Sequence, residues 1–492
     1  MTIFTLSLYI AIAAVLFCLI SGVTGVKVRN WVITFFQYFT GALFIFSGAV
    51  KAVDPLGTAY KMEQYFAEFE TTFAGTWFSF IAPIFPKLSN VSSTFSVVMI
   101  VFEIVLGIML LIGAYRKLTA WAFLLLLVFF AFLTGFTYLT GYVPEKVNFF
   151  QFAKWGPYVE TNMKVTDCGC FGDFLKLKPG VSFLKDIVLL VPALLFVWRH
   201  RDMHQLFRPG ARLTITALSI VALTYYSLSN YVWDLPDIDF RPFKRGVNIA
   251  EQKDKESEAE NAVEIVAYKL TNKKSGEVVE VPYAEFLQKI QQYPTEEWEY
   301  EQIKSEPAIP RTKISDFEVS DVTGSDVTEA ILRDSSYSFM VIAYKFYGTE
   351  SPAKKTVVDT LFAIDTIRTA DTAYLQKRIT GTQNKEVAYT QYQWDEDYLA
   401  KWKKAVVPVL DAAQKEGYKA YVITAYTDEA RLNDFKSALG MTQPIYMADD
   451  ILLKTIIRSN PGVVLMKNGQ VVWNWHYKRL PDYAAIKEKH MK

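Results

Sequence analysis

The sequence predicts two structural classes in one chain, a membrane-embedded all-α half and a soluble α/β half. Its 492 residues are 51% hydrophobic, yet they include 52 basic and 51 acidic residues. The long uncharged stretches all precede residue 233, and charged residues are frequent after it. The mean hydropathy of +0.14 is therefore an average over two unlike halves.

Composition also excludes several classes of protein. Aromatic residues make up 15% of the chain, which rules out a mostly disordered protein. The net charge of +1 gives no support to nucleic-acid binding, for which a basic excess is typical. Three cysteines in 492 residues are too few for a disulfide-rich scaffold.

Six stretches are long and apolar enough to cross a bilayer core of ~30 Å as helices. They cover residues 4–22, 31–50, 94–114, 118–141, 183–198 and 213–232. The first lacks the basic region and the small-residue cleavage site of a signal peptide, so we interpret it as a membrane helix.

Basic residues in the short loops predict the orientation. The loops after spans one, three and five contain Lys27, Arg29, Arg116, Lys117, Arg199, Arg201, Arg208 and Arg212. Such loops are usually cytoplasmic. Both termini and the long loops 52–92 and 142–181 would then face outward, and these loops could form a lid of interfacial helices. We expect a bacterial inner-membrane protein with its C-terminal half in the periplasm.

The second long loop contains Cys168 and Cys170 within Thr166–Asp173. A Cys-Gly-Cys disulfide closes a very small, strained ring that is easily reduced, and Gly169 suits such a ring. Thiol exchange is one interpretation, a fixed bridge is a second, and a zinc site with Asp167 or Asp173 is a third. Lys51, Lys154 or Lys164 could lower the thiolate pKa. The remaining cysteine, Cys18, is interpreted as a small buried residue of the first span.

Some ionisable residues within or at the ends of the spans are candidates for a functional site. They are Lys51, Glu103 and Asp186. An ionisable residue in a membrane segment is a functional-site hypothesis by default, although structural pairing is an equal alternative. Lys51 and Asp186 both lie near the outward ends of their spans, so we expect that they can pair.

Three segments together carry a family resemblance. They are Gly41–Lys51, Glu103 with Gly107 and Gly113, and Cys168–Gly172. Over roughly residues 30–200 the chain resembles the DoxX-like superfamily, and within it the MauE branch. The resemblance implies a four-helix membrane core with extracytoplasmic thiol–disulfide chemistry, and a quinone as electron partner. Cys168 and Cys170 would be the redox pair, and Lys51 and Glu103 the polar core positions. Residues 1–29 and 202–232 would each add one span.

The polar half has a mixed α/β pattern. In residues 233–310 we predict a mobile segment or surface helix at 251–261, a hairpin around a Lys-Ser-Gly turn, a helix at 284–292 and a strand at 298–303. From residue 311 we predict strands at 338–346, 418–426 and 443–449, a helix directly after the first, a long helix at 396–416, a helix between Thr427 as N-cap and Gly440, a hairpin at 461–477 and a closing helix. Residues 368–395 are interpreted as an insertion.

This order of elements resembles the thioredoxin fold, in its peroxiredoxin and TlpA-like form, over residues 311–492. The resemblance implies a cis Asn460–Pro461 bond and peptide binding beside Asn460 and Pro461. Tyr347–Ser351 stands where a Cys-x-x-Cys would be, and no cysteine follows residue 170, so this domain has no thiol chemistry of its own. His476 is interpreted as a surface residue.

Two functions follow as hypotheses. In the first, Cys168 and Cys170 exchange disulfides with extracytoplasmic protein clients, and the C-terminal domain binds a client or partner. In the second, the chain is a non-enzymatic, membrane-anchored assembly subunit of a larger envelope complex. The absence of cysteines from the C-terminal half supports the second hypothesis.

Overall fold

The computed structural model describes residues 2–163, 165, 169–368 and 373–492. In the first half, the described helices are α1 (Ile3–Val23), α2 (Trp31–Val53), α3 (Pro55–Phe73), α4 (Ile84–Asn90), α5 (Ser92–Ile112), α6 (Arg116–Thr140), α7 (Pro179–Trp198) and α8 (Pro209–Leu228). A π-helical turn extends α8 to Trp233. All except α3 and α4 are long and apolar enough to cross a membrane. The prediction of six spans is therefore confirmed, and the chain is a multi-pass membrane protein.

The six long helices form an inner group of four and an outer pair. Only 17% of the apolar stretch of α1, and of α8, is buried within the protein. The corresponding share is 33–61% for α2, α5, α6 and α7. The first and last spans are therefore peripheral to a four-helix core.

Glycines bring α2 and α5 into close contact. A Cβ added to Gly107 would lie 2.8 Å from the carbonyl oxygen of Gly41, and one added to Gly41 would lie 2.9 Å from that of Gly107. Small residues at a helix crossing allow this approach in a membrane, where van der Waals packing drives association.

The basic loops meet at one end of the bundle. Arg29 and Arg116 each donate a hydrogen bond to the carbonyl oxygen of Arg201, at 3.1 and 2.9 Å. These residues come from the three short loops that the sequence assigned to one side, so the predicted grouping of those loops is confirmed.

At the opposite end, α3 and α4 form a lid. Asp54 caps α3 by accepting a hydrogen bond from the Gly57 amide at 3.1 Å, and Pro55 occupies the first helical position. The buried face of α3 presents Tyr65, Phe66 and Phe69 to the bundle. A lid of interfacial helices was expected from residues 52–92 and 142–181. The first loop supplies it as α3 and α4, whereas the only helical segments in the described part of the second loop before α7 are the short 3-10 turns Phe152–Lys154 and Glu160–Asn162.

The second half is an α/β domain with three sheets. Its described helices are α9 (Ile249–Asn261), α10 (Tyr283–Lys289), α11 (Thr328–Leu332), α12 (Glu396–Lys401), α13 (Val407–Lys415), α14 (Glu429–Leu439), α15 (Asp450–Ile456) and α16 (Tyr483–His490). Its described strands are β1 (Ile265–Asn272), β2 (Val278–Pro282), β3 (Trp298–Lys304), β4 (Tyr337–Ala343), β5 (Gly348–Arg368), β6 (Ala373–Trp394), β7 (Lys419–Thr424), β8 (Ile445–Met447), β9 (Gly462–Lys467) and β10 (Gln470–His476).

The main sheet has the order β10-β9-β4-β7-β8. Strands β4, β7 and β8 are parallel, and β9 and β10 run antiparallel to them. Helices α12–α14 and α16 cover one face, and α9, α11 and α15 cover the other. A sheet buried on both faces accounts for the continuous apolar runs of β4 and β7. The predicted α/β class is confirmed.

Several local predictions are also confirmed. The 251–261 segment is helical, the predicted hairpin and strand form a small sheet of order β2-β1-β3, and α10 lies between β2 and β3 in the chain. Asn468 and Gly469 turn between β9 and β10 with φ of 48° and 73°. The Asn460–Pro461 bond is cis.

The prediction of a helix directly after the first buried strand is wrong. Strands β5 and β6 follow instead and pair along their whole described length as a two-stranded ribbon. The inserted segment therefore begins near residue 348 rather than 368. Its many threonines and β-branched residues favour extended backbone, which explains the difference.

The N-cap of α14 is Asp428 rather than Thr427. The Asp428 carboxylate accepts a hydrogen bond from the Ala430 amide at 3.0 Å. A carboxylate at this position satisfies a free amide and also interacts favourably with the helix dipole. Gly440 ends the helix in a left-handed conformation, as predicted.

His476 is buried rather than exposed, with 2% of its surface accessible. It is the last residue of β10, and the backbone at Tyr231, at the end of α8, lies against its ring. Burial, with a smaller effect from Lys478, lowers its pKa to about 4.

The buried His476 predicts an acid-sensitive domain. The unfolded chain binds the histidine proton below pH ~6.5, and the folded chain does so only near pH 4. The contribution of His476 to stability is therefore complete above pH ~6.5 and is lost as the pH falls towards 4, at ~1.4 kcal/mol per pH unit. We expect His476→Gln to flatten this part of the pH dependence. Tryptophan-fluorescence unfolding in detergent at several pH values measures it, and an unchanged slope would contradict the prediction.

Candidate functional site

A buried ion pair joins α2 to α5 below the lid. Lys51 in the last turn of α2 forms a salt bridge with Glu103 of α5, and their side chains are 7% and 3% exposed. The glycine contacts between α2 and α5 bring these two residues together. Lys51 also lies over the Phe130 ring, with 5.4 Å from Nζ to the ring centroid.

The expected pairing of Lys51 with Asp186 is wrong. Asp186, in α7, pairs with the adjacent Lys185 and accepts a hydrogen bond from Thr134 Oγ1 at 3.0 Å. Asp186 therefore pairs with Lys185, and Glu103 pairs with Lys51. Lys51 faces α5 because α2 packs most closely on that helix.

The ion pair is linked to the cysteine loop through Ser47. Ser47 Oγ lies 2.7 Å from Glu103 Oε1 and 2.8 Å from the carbonyl oxygen of Cys170. One hydroxyl has a single proton, so it donates to one of these oxygens at a time. The backbone of Cys170 is therefore anchored directly above the buried carboxylate.

Cys170 is a partly buried free thiol. Burial raises its pKa, while the positive charges of Lys185 and Lys51 act in the opposite direction. The net pKa is raised, so the expectation of a lysine-lowered thiolate does not hold for this cysteine. Cys168, Asp167, Thr166 and Lys164 lie outside the described residues. Cys18 is a free thiol on α1 and is only partly buried, less than expected.

Cys170 lines a cavity inside the bundle. Its volume is about 80 Å³. The polar lining comes from Ser47, Lys51, Thr58, Lys61, Glu103, Thr134, Cys170 and Lys185, and the rest is mainly Leu43, Phe44, Met62, Phe129, Phe130, Leu133, Phe171 and Leu189. Cationic and hydroxyl donors therefore face an otherwise apolar space.

The other side of the loop borders a cleft of about 560 Å³ between the lid and the C-terminal domain. Gly169 lines both spaces, and Gly172 and Asp173 line the cleft. Gly169 has φ +60°, and a Cβ there would lie 3.1 Å from Lys61 Cγ. The prediction that Gly169 adopts backbone angles unsuited to other residues is confirmed.

Arg458 joins the C-terminal domain to the cysteine loop. It lies between α15 and the cis proline, and its side chain is 4% exposed. Its Nε lies 3.0 and 2.8 Å from the two Asp54 oxygens, and Nη2 lies 3.2 Å from Asp173 Oδ2. Burial tends to lower the Arg458 pKa, but Asp54 and Asp173 outweigh it and raise the pKa, so the guanidinium stays charged.

Further contacts of the lid with the C-terminal domain flank Arg458. Tyr60 donates a hydrogen bond to Tyr344 Oη at 2.8 Å, and Lys454 forms a 3.0 Å salt bridge with Glu63. Tyr344 directly follows β4, so the lid contacts the sheet at the carboxyl end of a parallel strand.

Asn460 and Pro461 lie beside this junction. Asn460 Nδ2 donates to the carbonyl oxygen of Lys345 at 2.6 Å, and Pro461 is buried. A polar cleft of about 440 Å³ lies nearby, lined on the lid side by Tyr60 and Glu63 and on the domain side by Tyr344, Tyr347 and Tyr426.

Sequence reasoning missed Lys185, Asp54 and Arg458 as site residues. Lys185 directly precedes Asp186 near the start of a span, and this adjacency of opposite charges could have indicated an ion pair. Asp54 and Arg458 are 404 residues apart, and no local pattern relates them.

The fold and the site define a multi-pass membrane protein with a docked α/β domain. Residues 29–144 match the family model described as methylamine utilisation protein MauE. The matched segment contains Lys51 and Glu103 and ends before Cys168 and Cys170. No curated protein and no solved structure matches the chain.

Proposed function

We propose that the chain is a thiol–disulfide redox protein of the bacterial inner membrane, acting at the extracytoplasmic face through Cys168 and Cys170. The observation that carries the proposal is the position of the cysteine loop. Cys170 borders a cavity inside the membrane bundle, and the same loop borders an outer cleft. Because Cys170 lies in a loop between two such spaces, it is suited to a pair that receives electrons on one side and releases them on the other.

The chemistry begins at the outer cleft. A client thiolate attacks the Cys168–Cys170 disulfide at Cys168, forming a mixed disulfide and releasing Cys170 as a thiolate, which then takes up the proton lost by the client thiol. The second client thiolate then attacks the mixed disulfide, so the client leaves oxidised and the pair is left as a dithiol. The raised pKa of Cys170 suits the inner position, because a protonated thiol is a poor nucleophile towards clients.

The donors and aromatic rings that line the inner cavity support the proposal that the ring edge of an isoprenoid quinone binds there. When bound, such a quinone would accept the two electrons and two protons that a dithiol releases when it is oxidised to a disulfide. Lys51 and Lys185 would donate hydrogen bonds to its carbonyl oxygens, and the phenylalanines would contact the ring. At about 80 Å³ the cavity has room for the edge of a ring, with the tail in the bilayer.

The C-terminal domain would bind the client or a partner. The mixed sheet with two helix layers, the cis Asn460–Pro461 bond and the position of the insertion after β4 support a thioredoxin-like assignment. The four inner helices with the Lys51–Glu103 pair likewise support a DoxX-like assignment. A client segment would lie in the polar cleft beside Asn460 and Pro461.

Thiol trapping in cells tests this function. In a Cys18→Ser background, we expect Cys170→Ser to accumulate mixed disulfides, because the Cys168 thiolate attacks the disulfides of oxidised clients in the reverse direction and no Cys170 thiol remains to displace the client. Cys168→Ser is the matched control and should trap few clients, since Cys170 is partly buried and its raised pKa keeps it protonated. If the pair stays oxidised at all times and the double serine variant retains full function, the redox proposal is wrong.

A membrane-anchored assembly subunit is the second candidate, and the β5–β6 ribbon favours it. Val358, Phe362, Ile364, Leu375 and Ile379 share one face of its distal half, and each is at least 56% exposed. A two-stranded sheet with an uncovered apolar face is marginal in water without a partner. Replacing Phe362 and Ile379 by serine should abolish in-cell crosslinks from the ribbon if this candidate is correct, and leave thiol trapping intact.

A further inference from the structure

We infer that Arg458 is a positioning residue for the thiol pair, acting from the C-terminal domain through Asp173. One buried guanidinium contacts the start of the lid at Asp54 and the cysteine loop at Asp173. A domain without cysteines thereby sets the position of a loop that contains two. The inference rests on the proposed function only for its effect on redox equilibrium.

Arg458 pairs with the carboxylates of Asp54 and Asp173, and the positions of these two carboxylates are fixed to different degrees. Asp54 caps α3 and precedes Pro55, so its position is determined by a helix end. Asp173 has only a distant second cation among the described residues, Lys176 at 3.7 Å. Among the described residues, Arg458 is therefore the main ionic contact of Asp173, and Asp54 holds the Arg458 guanidinium in place.

Asp173 is three residues from Cys170, so a displacement of Asp173 is transmitted to Cys170 through a short stretch of backbone. Gly172 lies between them with φ +51°, and Phe171 is 1% exposed and packed in the bundle core. The loop is thus held by Phe171 and Ser47 from below and by Arg458 from above. Loss of the upper anchor releases the side of the loop that faces the outer cleft.

The burial of Arg458 makes the anchor strong. Removing one partner of a buried ion pair leaves an uncompensated charge, whereas exposed pairs contribute little. The chain supplies a matched exposed pair, Arg479 with Asp234, whose atoms lie 3.7 Å apart and whose side chains are 65% and 54% exposed. That pair also joins the C-terminal domain to the segment after α8.

Labelling of Cys170 in the full-length protein tests the anchor without any redox step. In a Cys18→Ser/Cys168→Ser background, we expect Arg458→Gln and Asp173→Asn each to increase the rate of modification by a membrane-impermeant maleimide at least tenfold. The Arg458→Gln/Asp173→Asn double variant should label no faster than the faster single variant, because both changes break one contact. Arg479→Gln should label at the parental rate.

The same substitutions in a Cys18→Ser background give the second readout. We expect the dithiol–disulfide equilibrium of Cys168 and Cys170 to change at least tenfold in Arg458→Gln, which is ~30 mV for a two-electron couple. Unchanged labelling in both single variants, or additive effects in the double variant, would overturn the inference. Faster labelling without a titratable Cys168–Cys170 couple would leave the anchor established and contradict the proposed function instead.

Discussion

Lys51→Met is expected to destabilise the membrane bundle by about 3–5 kcal/mol, the usual cost of removing one partner of a buried ion pair. Glu103 would remain in the bundle interior, where its side chain is 3% exposed, with Ser47 as its nearest remaining hydrogen-bond partner. Glu103→Gln should cost less, since a neutral amide can still hydrogen-bond to Ser47. Reversible unfolding in detergent or bicelles measures both values.

The double variant separates charge imbalance from packing. Lys51→Met/Glu103→Met removes both charges, and we expect it to regain most of the lost stability, because replacing a buried pair by apolar side chains is often neutral or stabilising. Lys87→Met is the matched control, since Lys87 is an exposed residue of the lid helix α4. Equal effects of Lys51→Met and Lys87→Met would show that the pair contributes nothing to the fold.

In the Lys51→Met/Glu103→Met variant, we expect stability to be retained and redox function to be impaired. Its bundle would fold, but the cavity would lose a cation, and Ser47 would lose its carboxylate partner beneath Cys170. We therefore expect thiol exchange to be impaired even where unfolding is normal. A stable double variant with wild-type trapping of clients would indicate that Lys51 and Glu103 serve structure alone.

The broad architecture was predictable because it depends on local composition. A span is recognised from about twenty apolar residues, and Ser92–Ile112 was predicted within two residues at each end. The turn at Asn468–Gly469 and the stop at Gly440 were predictable for the same reason, because left-handed backbone angles restrict residue type.

The contacts of the site were not predictable in the same way. Whether Lys51 meets Glu103 or Asp186 depends on which helices are neighbours and how each is rotated about its axis. Those variables are determined by the contact between Gly41 and Gly107, which joins α2 to α5 across more than sixty residues of chain. The contacts of Arg458 were equally unpredictable from sequence, because its partners Asp54 and Asp173 come close to it only when the two halves of the chain dock.

The β5–β6 ribbon was not predicted for a different reason. Sequence order predicted a helix after β4 because the remaining elements matched a known succession. The residues of β5 and β6 themselves favour strands, so local propensity and the expected succession of elements conflict at this point of the chain. The burial of His476 was missed because it depends on the end of α8, more than 200 residues earlier in the chain.

Gly107→Ala is expected to destabilise the bundle by about 1–3 kcal/mol or more, as overpacking does in a tight core. The added Cβ would lie 2.8 Å from the carbonyl oxygen of Gly41 and 3.0 Å from the amide nitrogen of Ile45. Both are backbone atoms of α2, so the helices must separate to relieve the contact. Separation would also lengthen the distance from Lys51 to Glu103, so the loss of packing and the loss of the ion pair occur together.

A second helical glycine supplies the control for this substitution. Gly210 lies in the first turn of α8, and a Cβ there has no atom within 4 Å. Alanine is a better helix former than glycine by ~1 kcal/mol, so Gly210→Ala should be neutral or stabilising. The two variants carry the same chemical change with opposite expected signs, and unfolding of each in the same detergent compares them directly. A neutral Gly107→Ala would mean that α2 and α5 separate without cost, and the Lys51–Glu103 pair could then not depend on their close approach.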